Sequence, residues 1–188
     1  EVFANYFAAR ITEPLFPEVN HALNSIKNYT ASALSEDRTP GTNAIRQDLD
    51  NLRNAGLIYG SIIYNKAPVM MRKLVEIMGE ESFREGIREY LQTFAYGNAT
   101  WNDSIAILDA RSEEDLAAFS DVWVNQKGMP HITFTEKEGM LEIVQSDPWC
   151  RSLVWPQRFD VTFVGNGWER VEEVNLASEK IVVPIPEG

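Results

Sequence analysis

Two histidines, one cysteine and the triplet Tyr64-Asn65-Lys66 are the side chains from which chemistry could be built in this chain. A self-contained metal site needs several His, Cys, Asp or Glu side chains converging, two of them commonly a helical turn apart. His21 and His131 lie far apart with no paired spacing, which leaves them as surface or hydrogen-bonded residues. Nucleophilic catalysis has no better footing. No Gly-x-Ser-x-Gly elbow is present, and Cys150 has no nearby His in a recognisable arrangement. The glycines are too scattered to form a phosphate-cradling loop. Taken alone, Tyr64 reads as a buried aromatic with a satisfied hydroxyl, and Lys66 as a solvated charge. Glu1 reads as a carboxylate favouring the positive end of the first helix.

These residues must be positioned by helices over most of the chain. Val2, Phe3, Tyr6, Phe7 and Ile11 give one apolar helical face that ends near Thr12, ahead of Pro14 and Pro17. A second helix is expected from Pro17 to about Ala33, followed by a polar surface loop from Ser35 to Thr42. Ile45, Leu49 and Leu52 predict a short helix within 44–55, closed by Gly56 and Gly60. Pro68 suits the first turn of a further helix carrying Val69, Met70, Leu74, Ile77 and Met78 to a stop at Gly79, so Tyr64 falls at or just before a helix N-terminus. Phe83 to Phe94 is the next helix. Thr100 with Asp103, and Ser112 with Asp115, read as cap pairs ahead of two more.

After Gly128-Met129-Pro130 the apolar period changes from 3.6 to 2. Ile132 and Phe134, then Met140 to Val144 beyond a Glu138-Gly139 turn, read as a hairpin. Arg158–Val164, Trp168–Val174 and Lys180–Ile185 read as further strands. The expected fold class is α+β, an all-helical segment followed by a small antiparallel β-sandwich module, with the boundary between residues 1–128 and 129–188.

A chain of 188 residues with 44% hydrophobic residues can bury a substantial core. Its formal net charge of -11 disfavours nucleic acid and anionic membrane as partners. The longest apolar runs, Leu57 to Ile63 and Ile181 to Ile185, fall far short of the ~20 residues of a membrane-spanning helix. The lone Cys150 cannot form an internal disulfide.

Four stretches carry a resemblance to the aminopeptidase N family of zinc metallopeptidases, the gluzincins. Residues 1–8, Glu-Val-Phe-Ala-Asn-Tyr-Phe-Ala, resemble the family segment Asn-Glu-x-Phe-Ala-x-Tyr-Phe. Tyr64-Asn65-Lys66 resembles Tyr-x-Lys-Gly, with Ala67 standing where the family has Gly. Phe83 to Leu108, with Gly86, Tyr90, Asn98-Ala99 and Asp103, follows the family's helical hairpin. Trp123-x-x-Gln126-x-Gly128-x-Pro130 matches its exit into a β domain. Each motif is weak alone, and their order and spacing carry the likeness, over residues 1–8 and 56–132.

The resemblance implies that residues 1–128 are the helical second half of a thermolysin-like catalytic domain. It implies that Glu1 is a zinc ligand and that Tyr64 is catalytic, its hydroxyl donating to the oxyanion that develops on the scissile carbonyl. The family's His-Glu-x-x-His and Gly-x-Met-Glu-Asn elements are missing from the sequence. The expectation is therefore a piece of a longer zinc aminopeptidase acting on peptide N-termini, inactive and metal-free by itself. Truncation would leave apolar faces uncovered and promote self-association. Two rivals are a helical protein-interaction module and a relative that lost its metal site and serves as a scaffold.

Overall fold

The computed structural model describes residues 2–186. The chain divides after Gly128 into two compact units. The first is helical. Helix α1, Val2–Thr12, ends as the sequence predicts and runs into a 3-10 turn, Glu13–Leu15, that carries Pro14 in its first turn. Its aromatic face forms a ladder, with Phe3 stacked on Tyr90 at 6.0 Å and Tyr6 edge-on to Phe83 at 5.8 Å.

The predicted second helix is broken into three pieces. These are α2 (His21–Ser25), a π-turn (Ile26–Thr30) and α3 (Ala31–Asp37), the first capped by Asn20, whose side chain accepts from the Leu23 amide. It begins later than expected and reaches Asp37 beyond Ala33, so part of the expected surface loop is helical. A second π-turn, Ile62–Lys66, leads without interruption into α4 (Ala67–Met78). Pro68 sits in the first turn of α4, where a missing N–H costs little, and Gly79 closes the helix at φ +85. Met70, Met71, Leu74, Val75 and Met78 form its buried stripe.

Helices α5 (Glu80–Thr93), α6 (Trp101–Asp109) and α7 (Leu116–Trp123) complete the unit. Thr100 and Asp103 form the predicted capping box, in which the Thr100 hydroxyl and backbone amide hold the Asp103 carboxyl below the usual carboxylate range. The second cap differs from expectation. Asp115 is itself the N-cap of α7, accepting from the Ala118 amide at 2.7 Å, while Ser112 accepts from the Glu114 amide at 3.1 Å. Gly86 on α5 lets α6 approach closely, since a Cβ there would lie 2.6 Å from Leu108 Cδ2, a side chain with no solvent exposure. Gly86→Ala is expected to lower unfolding stability by about 1 kcal/mol despite the better helix propensity of alanine, because overpacking outweighs it. A thermal melt with an unchanged or raised midpoint would contradict this packing argument.

The helix expected within 44–55 is not formed. Residues 43–51 are irregular, with the Arg46 amide donating to the Val124 carbonyl at 3.0 Å, and a 3-10 helix spans only Leu52–Leu57. Three apolar residues at helical spacing cannot offset the cost of nucleating so short a helix when a tertiary backbone bond competes for the same segment.

The second unit contains β1 (His131–Lys137), β2 (Met140–Ser146), β3 (Gln157–Gly165), β4 (Trp168–Leu176) and β5 (Lys180–Pro184). One antiparallel sheet has the order β1-β2-β5, and β3 pairs with β4 in a second. The Glu138-Gly139 turn joins β1 to β2 with both residues at positive φ, +53 and +75, the twist that suits a two-residue hairpin. Ile143 from one sheet and Val174 and Leu176 from the other share one core, with Ile132, Phe159 and Ile181 packed around it. Gln145 is buried and pins the connection between the sheets, accepting from the Trp155 amide at 2.9 Å and donating to the Ser178 carbonyl at 2.7 Å. The observed fold is α+β, as expected.

Candidate active site

Tyr64 lies inside the second π-turn rather than ahead of a helix. The Ala67 amide donates to the Ile62 carbonyl, a bond one residue longer than in an α-helix, while the Tyr64 amide donates to the Gly60 carbonyl at 3.0 Å. Single π-turns inside helices recur at functional sites, because they re-aim one side chain without ending the helix. Side chains two positions apart on a helix point in roughly opposite directions, about 200° apart. Tyr64, 36% exposed, accordingly opens to a cleft, and Lys66 is driven into the interior.

The cleft has a volume of about 420 Å³. Its walls come from α1 (Asn5, Tyr6, Ala9, Thr12), from the first broken helix (Asn24, Ser25, Tyr29), and from the Tyr64 segment and α4 (Tyr64, Asn65, Pro68, Arg72). Both π-turns therefore contribute a tyrosine to it. Tyr59 packs against the Tyr64 ring with centroids 5.9 Å apart. At the base, Arg72 Nη1 donates to Ser25 Oγ at 2.8 Å. Burial raises the pKa of the Tyr6 phenol, reinforced by the Glu80 carboxylate and opposed by the Arg10 and Arg72 guanidinium groups, so this tyrosine stays a neutral donor at the cleft wall.

Of the residues singled out from sequence, Tyr64 faces this cleft and Glu1 lies outside the described residues. Asn5, four positions after Glu1 in the sequence, lines the same cleft as Tyr64. His21 borders the cleft, with Nε2 hydrogen-bonded to the Phe16 carbonyl at 2.8 Å, and His131 is an exposed residue of β1 in the other unit. Cys150 is exposed and not in a disulfide.

The donor set near Tyr64 does not fit a zinc ion by itself. His21 and Glu13 are the cleft-lining His, Cys, Asp or Glu residues, and no group of three or more such side chains that could hold a metal exists among the described residues. A metal at this cleft would need ligands from elsewhere.

Lys66 is not the solvated charge expected from sequence. Its side chain is 3% exposed and its Nζ lies 2.7 Å from Asp37 Oδ2, itself 2% exposed. Lys66 also donates to the Gly128 carbonyl at 2.9 Å, and the Gly128 amide donates to Asp37 Oδ1 at 3.1 Å. Thr42 Oγ1 completes the set, donating to Asp37 Oδ1 at 2.9 Å. A second polar cluster lies on the other side of the turn, where Asn65 Nδ2 donates to Ser61 Oγ at 2.8 Å and to Ser32 Oγ at 3.1 Å. Sequence reasoning missed Asp37, Ser32, Ser61 and Arg72. Their distant partners lie 29 to 91 positions away, and the near ones fall in a turn or π-turn that leaves no distinct sequence signal.

Residues 1–123 match the sequence profile of the family described as "Peptidase family M1 domain". The chain is 30% identical over 146 residues to "Aminopeptidase M1" of Arabidopsis thaliana, covering 78% of this chain and 16% of that protein. It is 30% identical over 132 residues to "Aminopeptidase M1-B" of Oryza sativa subsp. japonica, covering 70% of this chain and 15% of that protein. With "Aminopeptidase N" of Lactococcus lactis subsp. cremoris it shares 26% identity over 185 residues, 98% of this chain and 22% of that protein. The chain thus spans about a sixth to a fifth of the length of these relatives. With the profile extending from α1 through α7, and so over every element that walls the Tyr64 cleft, this chain belongs to peptidase family M1.

Proposed function

We propose that this chain forms the Tyr64 wall of the active-site cleft in a zinc-dependent aminopeptidase that removes N-terminal residues from peptides. The observation that carries the reading is the shared cleft. The family profile runs through it, and Tyr64 and Asn5 line it from two helices distant in sequence. In this reading residues 1–128 are the helical part of the catalytic domain and residues 129–188 a β-sandwich module. Glu1 is a zinc ligand, and the remaining ligands come from a His-Glu-x-x-His segment outside these 188 residues. Zinc, when bound, polarises a carbonyl and activates water.

This chain's own contribution is a hydrogen bond. When water adds to the scissile carbonyl, negative charge collects on its oxygen, and a donor fixed beside that position stabilises the transition state more than the substrate. The Tyr64 hydroxyl has the chemistry for this role. Its ring is braced by Tyr59, and its backbone is fixed in the π-turn, so little reorganisation accompanies the reaction.

The whole open reading frame that contains these residues, expressed with zinc, is expected to release arylamine from aminoacyl-arylamides, and a chelator is expected to stop it. Residues 1–188 expressed alone are expected to release none. Hydrolysis by residues 1–188 alone, or none by the whole reading frame with zinc, would count against the proposal.

A further inference from the structure

We infer that the buried Lys66–Asp37 pair is a positioning device for Tyr64, a role that rests on the reading of Tyr64 as the oxyanion donor. Three segments meet at this pair. Asp37 ends α3, Lys66 ends the π-turn, and Gly128 lies beyond α7. Lys66 and Asp37 hold the Gly128 backbone from both sides, one through its carbonyl and the other through its amide. Both Asp37 oxygens are engaged, Oδ2 by Lys66 and Oδ1 by Thr42 and Gly128, in a site almost closed to water. A salt bridge buried this deeply is weak evidence of a stabilising role by itself, because apolar residues of similar volume can often replace such a pair without loss.

What the pair does provide is a fixed register. Lys66 stands two residues from Tyr64 on the opposite side of the same turn, so anchoring its ammonium fixes the rotation of the turn about the helix axis. Asn65 holds the adjacent position through Ser61 and Ser32. With Lys66 tied inward and Asn65 tied at the cleft wall beside it, the direction in which Tyr64 enters the cleft is fixed. A displacement of about 1 Å at a reacting group can cost on the order of 100-fold in rate.

The test is a double-mutant cycle in the polypeptide encoded by the whole open reading frame, with the paired variant Asp37→Asn/Lys66→Met removing both charges at once. In the wild-type background the pair is expected to lower kcat by about 10- to 100-fold, with KM changed less than about 2-fold. In the Tyr64→Phe background the same pair is expected to lower kcat by less than about 2-fold, because the group it positions is gone. An equal loss in both backgrounds, or no loss in the wild type, would overturn the inference. If Tyr64→Phe itself leaves kcat unchanged, the reading of Tyr64 fails instead.

Hydrogen exchange supplies a readout independent of activity. In the paired variant the amides of residues 63–67 are expected to exchange at least about 10-fold faster while those of α5 are unchanged, and a uniform change or none would contradict a local anchoring role.

Discussion

Tyr64→Phe is expected to lower kcat by about 100- to 1000-fold in the zinc-loaded whole polypeptide, the range seen when one preorganised oxyanion donor is deleted, about 3–4 kcal/mol. KM should change little, because the hydroxyl meets its charged partner only as the transition state forms. A residue acting only then lowers kcat and kcat/KM together. The substitution removes a single oxygen. The ring that packs on Tyr59 remains, and at 36% exposure the side chain contributes modestly to the core, so the fold should be nearly unaffected. Steady-state kinetics on an aminoacyl-arylamide separate the outcomes. A rise in KM with kcat intact would make Tyr64 a substrate-binding residue, and full activity would remove it from the chemistry.

The second large effect is on stability. Lys66→Met alone leaves the Asp37 carboxyl 2% exposed with its cationic partner gone, and the unfolding free energy is expected to fall by about 3–5 kcal/mol. That is a substantial share of the ~5–15 kcal/mol available to a typical domain. Asp37→Asn alone strands the Lys66 ammonium and should cost a similar amount. The paired variant strands neither charge and should cost clearly less than either single change. Urea unfolding of the three variants measures this ordering. A Lys66→Met loss below about 1 kcal/mol would mean that the pair is more hydrated than its burial indicates.

How far the sequence foretold this arrangement depended on the distance over which each signal acts. Local signals read well. The Thr100-Asp103 box, the Gly79 stop, Pro68 in a first helical turn and the Glu138-Gly139 hairpin each involve a few neighbouring residues, and each is observed. Where a local pattern competed with tertiary contacts it misled. Ile45, Leu49 and Leu52 have helical spacing, yet their segment is committed to the Val124 carbonyl through the Arg46 amide. Ser112 and Asp115 have the spacing of a cap pair, but Asp109 accepts the Leu116 amide at 2.8 Å and Asp115 takes the cap, so α7 starts three residues later than the pair implies.

The site was legible only in outline. Tyr64 was singled out through motif order, and it lines one cleft with Asn5. Lys66 was misread because its partner lies 29 positions upstream, and nothing local distinguishes a buried lysine from a solvated one. The π-turn was invisible for a related reason. Ser-Ile-Ile-Tyr-Asn-Lys suits an α-helix equally well, so nothing in the residues themselves marks the wider turn.

The most direct measurement is a crystal structure of the zinc-loaded whole polypeptide with a phosphinic dipeptide analogue, whose tetrahedral oxygens stand for those of the adding water and the former carbonyl. The Tyr64 Oη is expected at about 2.7–3.1 Å from the oxygen that represents the carbonyl. An Oη more than about 4 Å from both oxygens, with the ring turned out of the cleft, would contradict the assignment.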